Sequence, residues 1–325
     1  MNRHTSYHLK NTIVDVSYKF FRAILLFGLC FLILQPLLDK LSVSFMAQQD
    51  LYDATVISIP RNFSVSNYQI SMQLLNFWPT LMQTVIFLTI SALLQVIACT
   101  LAAYGFARYK FPGKNMLFMC VFLLIIVPPQ TIMSSIYLNF QFFDLFGIIK
   151  LISGKTLNLL GSPAGYLLLS ATAMGLKSGL YIFLLRQYFR GVPKELEEAA
   201  YVDGCGRFHT FIRIMLPDAA PMLTSCFLFS FVWQWTDTLF TTLFLRNYRL
   251  ISIALSKLTD SFYHYWASIN SWGSGTGALM SQPPIAYIQA ILATGILLCL
   301  APLVLLYLVA QRTFVESLTQ TGIKM

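Results

Sequence analysis

The chain has 325 residues, of which 57% are hydrophobic and 11% charged, with a mean hydropathy of +0.66. A soluble domain carries nearer about 25% charged residues, so soluble enzymes, nucleic-acid binders and disordered chains are excluded. The net charge of +9 then reads as basic loops on the cytosolic face of a membrane protein.

Six apolar stretches are long enough to cross the hydrocarbon core, which takes roughly 20 residues each. They are Phe20–Leu38, Leu81–Ala107, Asn115–Leu138, Ala164–Leu185, Ala219–Leu245 and Ile285–Gln311. The first is too long for a signal-peptide core and no small-x-small cleavage site follows it, so it is expected to remain as a span. Alternate connections differ in basic residues. The side holding the two termini and the loops at 108–114 and 186–213 carries 14 of the 22 Lys and Arg, the other side carries seven, and Lys177 falls inside the fourth stretch. The positive-inside rule therefore puts both termini in the cytosol. The expectation is an all-α membrane protein with six transmembrane helices. A cytosolic tail (1–19) precedes one membrane domain (20–311), and a second cytosolic tail (312–325) follows it.

Little in the chain suggests chemistry. The six cysteines form no CxxC pair, and neither a disulfide framework nor a metal site is expected. Gly154-Lys155-Thr156 mimics the end of a phosphate loop, but Ile149 stands where such a loop needs glycine. The four histidines are scattered. The chain is expected not to be an enzyme and to bind no cofactor of its own.

The connection at 190–217 is more than a linker. Pro193 suits a first helical turn, and Glu195, Glu197 and Glu198 put negative charge at the positive end of the helix dipole. Gly204 supplies the left-handed residue that ends such a helix. A second short helix runs from about Arg207 to Leu216, stopped by Pro217. Capped helices rich in small residues (Ala199, Ala200, Gly204, Gly206) can dock closely on another protein. A solvated hairpin joining two spans is the plainer alternative.

Glu198-Ala199-Ala200, Gly204 and Ile214-x-Leu216-Pro217 together resemble the EAA motif of bacterial ATP-binding-cassette importer permeases. Leu101-Ala102-Ala103-Tyr104-Gly105-Phe106-Ala107-Arg108, Val127-Pro128-Pro129-Gln130 and Ile182-Phe183-Leu184-Leu185-Arg186-Gln187 are similar to stretches of the maltose-type sugar permeases. So are Trp235-Thr236-Asp237 and the tail Phe314-Val315-Glu316 with Leu318-Thr319. Cys205 and Gly206 depart from the pattern, small for small. The resemblance covers about Ser66 to the end. It implies a type I ABC importer permease fold, an inner-membrane location in bacteria and a carbohydrate cargo. The partners it implies are a second permease subunit, two cytosolic ATPase subunits that hold ATP and Mg, and an extracytoplasmic solute-binding protein. Carried over by position, Glu198 is the acidic docking contact, Ala199 and Ala200 allow close approach, Gly204 sets the turn, and Asp203, Ile214, Leu216 and Pro217 complete the coupling loop. Another polar solute as cargo, or an ATPase-independent secondary transporter, remain as alternatives.

Within the spans, Lys177 lies nine residues before Arg186, so about 13 Å from the cytosolic end at 1.5 Å per residue. A lysine at mid-bilayer costs about 2.5–3.5 kcal/mol, so it should face a subunit interface or a watery cavity, to contact either substrate or partner. Asp237 lies too far outward to pair with it. Pro128 and Pro129 should break the third span, with Gln130 just beyond. Lys177, Gln130, Asp237, Gln234 and Trp235 are the candidates for the substrate path, with Tyr181 and Gln187 behind them.

Overall fold

The computed structural model describes residues 3–53, 55–56, 59–144, 147–245, 248–270 and 282–323. Arg246 and the Gly-rich stretch 271–281 of the third outward segment lie outside them, as do the side chains of the tail motif Phe314–Glu316. Among the described residues the regular structure is helical, with two isolated β-bridges (Met46 to Phe63, Phe143 to Leu157).

In chain order the first helices are α1 (Arg3–Ser44), α2 (Ser66–Leu75), α3 (Phe77–Arg108), α4 (Lys114–Ile126), α5 (Pro129–Gln141) and α6 (Ile148–Ser153). Then come α7 (Pro163–Ala171), α8 (Ser178–Gly191), α9 (Glu195–Val202), α10 (Arg207–Thr210) and, after a π-helical turn at Phe211–Met215, α11 (Leu216–Asp218). The last are α12 (Ala220–Thr236), α13 (Leu239–Phe244), α14 (Ile251–Ser256), α15 (Leu258–Asn270) and α16 (Ile285–Ile323).

Three helical segments are by themselves long and apolar enough to cross a membrane: Asp15–Ser44, Phe77–Arg108 and Ile285–Gln311. Counting each of two bent pairs as one span would bring the total to five. The third stretch is broken at Pro128–Pro129 as expected, whereas the fourth and fifth, expected as unbroken spans, are broken as well. Pro128 has no N–H and forces Val127 into extended backbone (φ −70°, ψ 119°), so α4 stops at Ile126. Pro129 opens α5, whose axis turns 108° away. α12 ends at Thr236 and, after two intervening residues, α13 begins at Leu239.

The fourth stretch breaks without proline. Ala173 (φ 57°) and Lys177 (φ 61°) are both left-handed, a conformation that costs a non-glycine residue about 1–3 kcal/mol and persists only when its surroundings hold it. Here Gln95 of α3 holds it, donating from Nε2 to the Leu176 carbonyl at 2.8 Å and to Ser178 Oγ at 2.7 Å. Gly175 makes room for that amide, since a Cβ there would meet Gln95 Nε2 at 3.1 Å.

Two compact units are present. One comprises Met1–Leu74 and Leu258–Leu298. In it the apolar length of α1 is exposed, Phe45 stacks on Phe63 at 4.7 Å, and Phe262 of α15 meets Tyr287 of α16 edge-on. The other comprises Leu75–Lys257 and Cys299–Met325. Its core is α3, with Cys99, Ala103 and Tyr104 buried against Tyr181, Leu185 and Phe189 of α8, and Met222 and Cys226 of α12. Small residues at such contacts allow close backbone approach, the main source of helix association in lipid.

Candidate functional site

The loop between α8 and α12 is built as its sequence dictates. Glu195, Glu197 and Glu198 occupy the first turn of α9. Gly204 is left-handed (φ 80°), its N–H bonds to the Tyr201 carbonyl at 3.1 Å, and the Cys205 N–H bonds to that of Ala200 at 2.9 Å. These two bonds make a Schellman motif, which satisfies the last carbonyls of the helix and fixes the turn.

α9 has two distinct faces. Glu197 and Ala200, one helical turn apart, are buried, while Glu198, Ala199, Asp203 and Gly204 are exposed. Val202 is 87% exposed and Phe208 72%. Ile214 and Leu216 are half-buried and Pro217 is exposed. The outward edge of this hairpin thus holds an acid, a small residue and apolar side chains together, a composition that suits a contact surface.

The buried face is latched to α3. Glu197 Oε1 lies 3.2 Å from Arg108 Nε, and the two side chains are only 10% and 7% exposed. The Tyr104 hydroxyl donates to the same oxygen at 3.0 Å, and Arg108 Nη2 donates to the Val192 carbonyl at 2.8 Å, where α8 ends. The Nε contact is an ion pair without hydrogen-bond alignment. Burial, reinforced by the Glu197 charge, raises the Tyr201 hydroxyl above its ordinary pKa. Glu197 escaped the sequence reading because it stands beside Glu198, and the phase of a two-turn helix cannot be read from the residues alone.

The broken spans meet elsewhere in the same unit. A cavity of about 210 Å³ is lined by Leu123, Val127 and Pro129 from the first break, by Gly175 to Gly179 from the second, and by Phe240 beyond the third. Lys177 lies on its wall, exposed at the head of α8 and not inside a continuous span. Its Nζ sits 5.0 Å over the Trp233 ring, and the ion pairs of the described residues do not include it. Gln130 is exposed at the start of α5.

The other path candidates are placed differently. Asp237 is buried and accepts from the backbone N–H groups of Leu239, Phe240 and Thr241 at 3.0–3.4 Å, capping α13. Gln234 is buried and donates to Gln95 Oε1 at 2.7 Å and to Ser230 Oγ at 2.9 Å. Trp235 is buried beside Phe231. Tyr181 is fully buried in the core, and Gln187 is exposed on α8. The three buried polar groups at Gln95, Ser230 and Gln234 thus bind α3 to α12, and Ser178 joins α8 to them.

A loop with an exposed, capped helix and apolar helices that break around a cavity are features that a membrane permease can use. Residues 95–315 match the family described as the binding-protein-dependent transport system inner membrane component, and the chain belongs to that family. It is the permease component of an ABC importer, a transport component and not an enzyme.

Among similar proteins, the probable ABC transporter permease protein YurM of Bacillus subtilis (strain 168) is 25% identical, across 89% of this chain and 83% of its own. The arabinooligosaccharides transport system permease protein AraQ of Halalkalibacterium halodurans is 24% identical, across 91% and 93%. The maltodextrin transport system permease protein MdxG of Bacillus subtilis is 28% identical, across 71% and 70%. A solved bacterial ABC transporter involved in the import of the acidic polysaccharide alginate contains a chain that aligns with a TM-score of 0.65 at 18% identity, over 93% of this chain and 98% of that one. The fold is that of a type I ABC importer permease.

Proposed function

We propose that this chain is a six-span, binding-protein-dependent permease of a bacterial inner membrane and conducts a carbohydrate. In this reading its three broken stretches cross the membrane as bent spans, and both termini and the α9–α11 loop lie in the cytosol. The exposed edge of α9 carries the reading. Glu198 would pair with a basic residue of a cytosolic ATPase, Ala199 would let the two surfaces close, and Asp203, Gly204, Ile214, Leu216 and Pro217 would hold the loop's shape. ATP and Mg would belong to that partner. A second permease subunit would complete the path, and an extracytoplasmic binding protein would deliver the solute.

The latch gives this docking a mechanical consequence. Force applied to α9 reaches α3 through Glu197 and Arg108, and reaches α8 through Val192. α8 begins just after Lys177, which lies on the wall of the inner cavity. A displacement of the loop therefore has a short packed route to the break in the fourth span. The sugar relatives support a carbohydrate cargo, and Lys177 would supply a donor to its hydroxyls.

The test is ATP hydrolysis by this chain reconstituted with its partner permease, ATPase and binding protein. Stimulation by an oligosaccharide is the expected result. An intact complex that responds to no carbohydrate overturns the cargo, and the absence of any assembled ATPase overturns the docking.

A further inference from the structure

A second and larger cavity of the same unit, about 850 Å³, stands apart from the Lys177 chamber. Met133, Tyr137 and Gln141 come from one face of α5, at four-residue spacing. Thr238 and Thr242 come from one face at α13, and Asn158 from the turn before α7. The volume falls within the range of about 300–1,000 Å³ usual for small-molecule sites.

Its lining has a definite chemistry. Among the described residues on it, Tyr137 alone is ionisable. Ring, amide and hydroxyl groups alternate with the apolar Met133, Leu160, Leu239 and Leu243. Asn158 accepts the Leu160 N–H at Oδ1, at 3.0 Å, and among the described residues no partner takes its Nδ2. Thr242 spends its hydroxyl on the Thr238 carbonyl. An aromatic face, carboxamides and hydroxyls on an apolar ground match a polyhydroxylated ring, which offers C–H faces to stack and hydroxyls to hydrogen-bond. They do not match a carboxylate, since the described residues of the wall include no cation.

We infer that this cavity is a receiving site for a neutral carbohydrate, with Tyr137 stacking on a sugar ring and Gln141, Asn158 and Thr238 bonding its hydroxyls. The inference rests on the proposed function for its cargo and its orientation. Gln141 and Asn158 lie in or beside the segment that reading places outside, so solute arriving from the binding protein meets this site first. Ile132 and Met133, adjacent on α5, line the small and the large cavity respectively, as do Phe240 and Leu239 on α13. A sugar released from the receiving site would therefore find the Lys177 chamber next along the same two helices.

The experiment is uptake of labelled maltotriose, arabinotriose and trimannuronate by proteoliposomes holding the whole importer, at one fixed and limiting concentration of binding protein. At least one neutral trisaccharide should enter and trimannuronate should not. Tyr137→Ala and Gln141→Ala should each slow neutral uptake about tenfold, equivalent to about 1.4 kcal/mol. Tyr137→Trp, which keeps an aromatic face, should restore it, and all three variants should co-purify with the ATPase as the parent does. Neutral uptake unchanged in both alanine variants, failure of Tyr137→Trp to restore it, or transport of trimannuronate in preference to the neutral sugars overturns the site and leaves the carbohydrate importer standing. A parent complex that takes up none of the three overturns the cargo reading, and the site with it.

Discussion

The two ends of α8 treat charge in opposite ways. At its C-terminal end, Arg108 bonds the Val192 carbonyl and neutralises Glu197, so a buried acid and a buried base satisfy each other within the chain. A cation there also suits the negative end of the helix dipole. At its N-terminal end, Lys177 sits where the dipole is unfavourable to a cation, left-handed, over a tryptophan ring and in none of the ion pairs among the described residues. The first end is complete in this subunit and behaves as a fixed latch. The second is incomplete, as expected of a wall that faces water, a partner or a passing solute.

That contrast can be broken most severely at the latch. Arg108→Ala leaves Glu197 buried and uncompensated, which should lower stability by about 3–5 kcal/mol, visible as an earlier thermal transition in detergent. Glu197→Gln keeps an acceptor for Tyr104 and should cost less. Equal transitions for parent and Arg108→Ala would mean that the latch holds nothing. Next in size is Gln95→Leu. It removes hydrogen bonds to Leu176, Ser178, Ser230 and Gln234. At about 0.6 kcal/mol each in a membrane protein, the loss should be about 2 kcal/mol, read in the same melting experiment.

Lys177→Met should then show the opposite pattern. Only the contact with Trp233 is lost, about 0.5–1 kcal/mol, so melting should hardly move while the rate or specificity of uptake changes. Unchanged uptake would remove Lys177 from the path. The smallest effect lies at Asp50, between α1 and α2. The Asn62 backbone N–H at 2.7 Å, with the Asn62 amide, holds this carboxyl below its ordinary pKa, against the opposing effect of burial. A depressed acid stabilises the fold fully above the ordinary carboxylate pKa of about 4, and that stability is lost as pH falls through the depressed value. Parent protein should therefore lose some stability in strong acid that Asp50→Asn does not lose, measured as melting against pH.

Local signals in the sequence were read well. Pro128–Pro129 marks a break and Gly204 ends α9, because each acts through its own backbone. Pro217, by contrast, does not stop the second short helix as expected but lies within α11, at a first-turn position that tolerates its missing N–H. The break at 172–177 was missed because nothing local compels it. Its left-handed residues are Ala and Lys, held by Gln95 from another helix. Asp237 shows a signal that was present but not used: an acidic residue just ahead of a helix readily accepts from its first N–H groups, and Asp237, two residues before α13, does so. The choice between Glu197 and Glu198 depended on tertiary packing and was not legible at all.

The central claim is that the exposed edge of α9 couples this permease to an ATPase, and Glu198→Lys tests it most directly. The side chain is exposed and outside the latch, so the variant should fold and insert as the parent does. Co-purification of the ATPase and solute uptake should both fall sharply. A Glu198→Lys permease that retains its ATPase and transports at the parental rate would contradict the account.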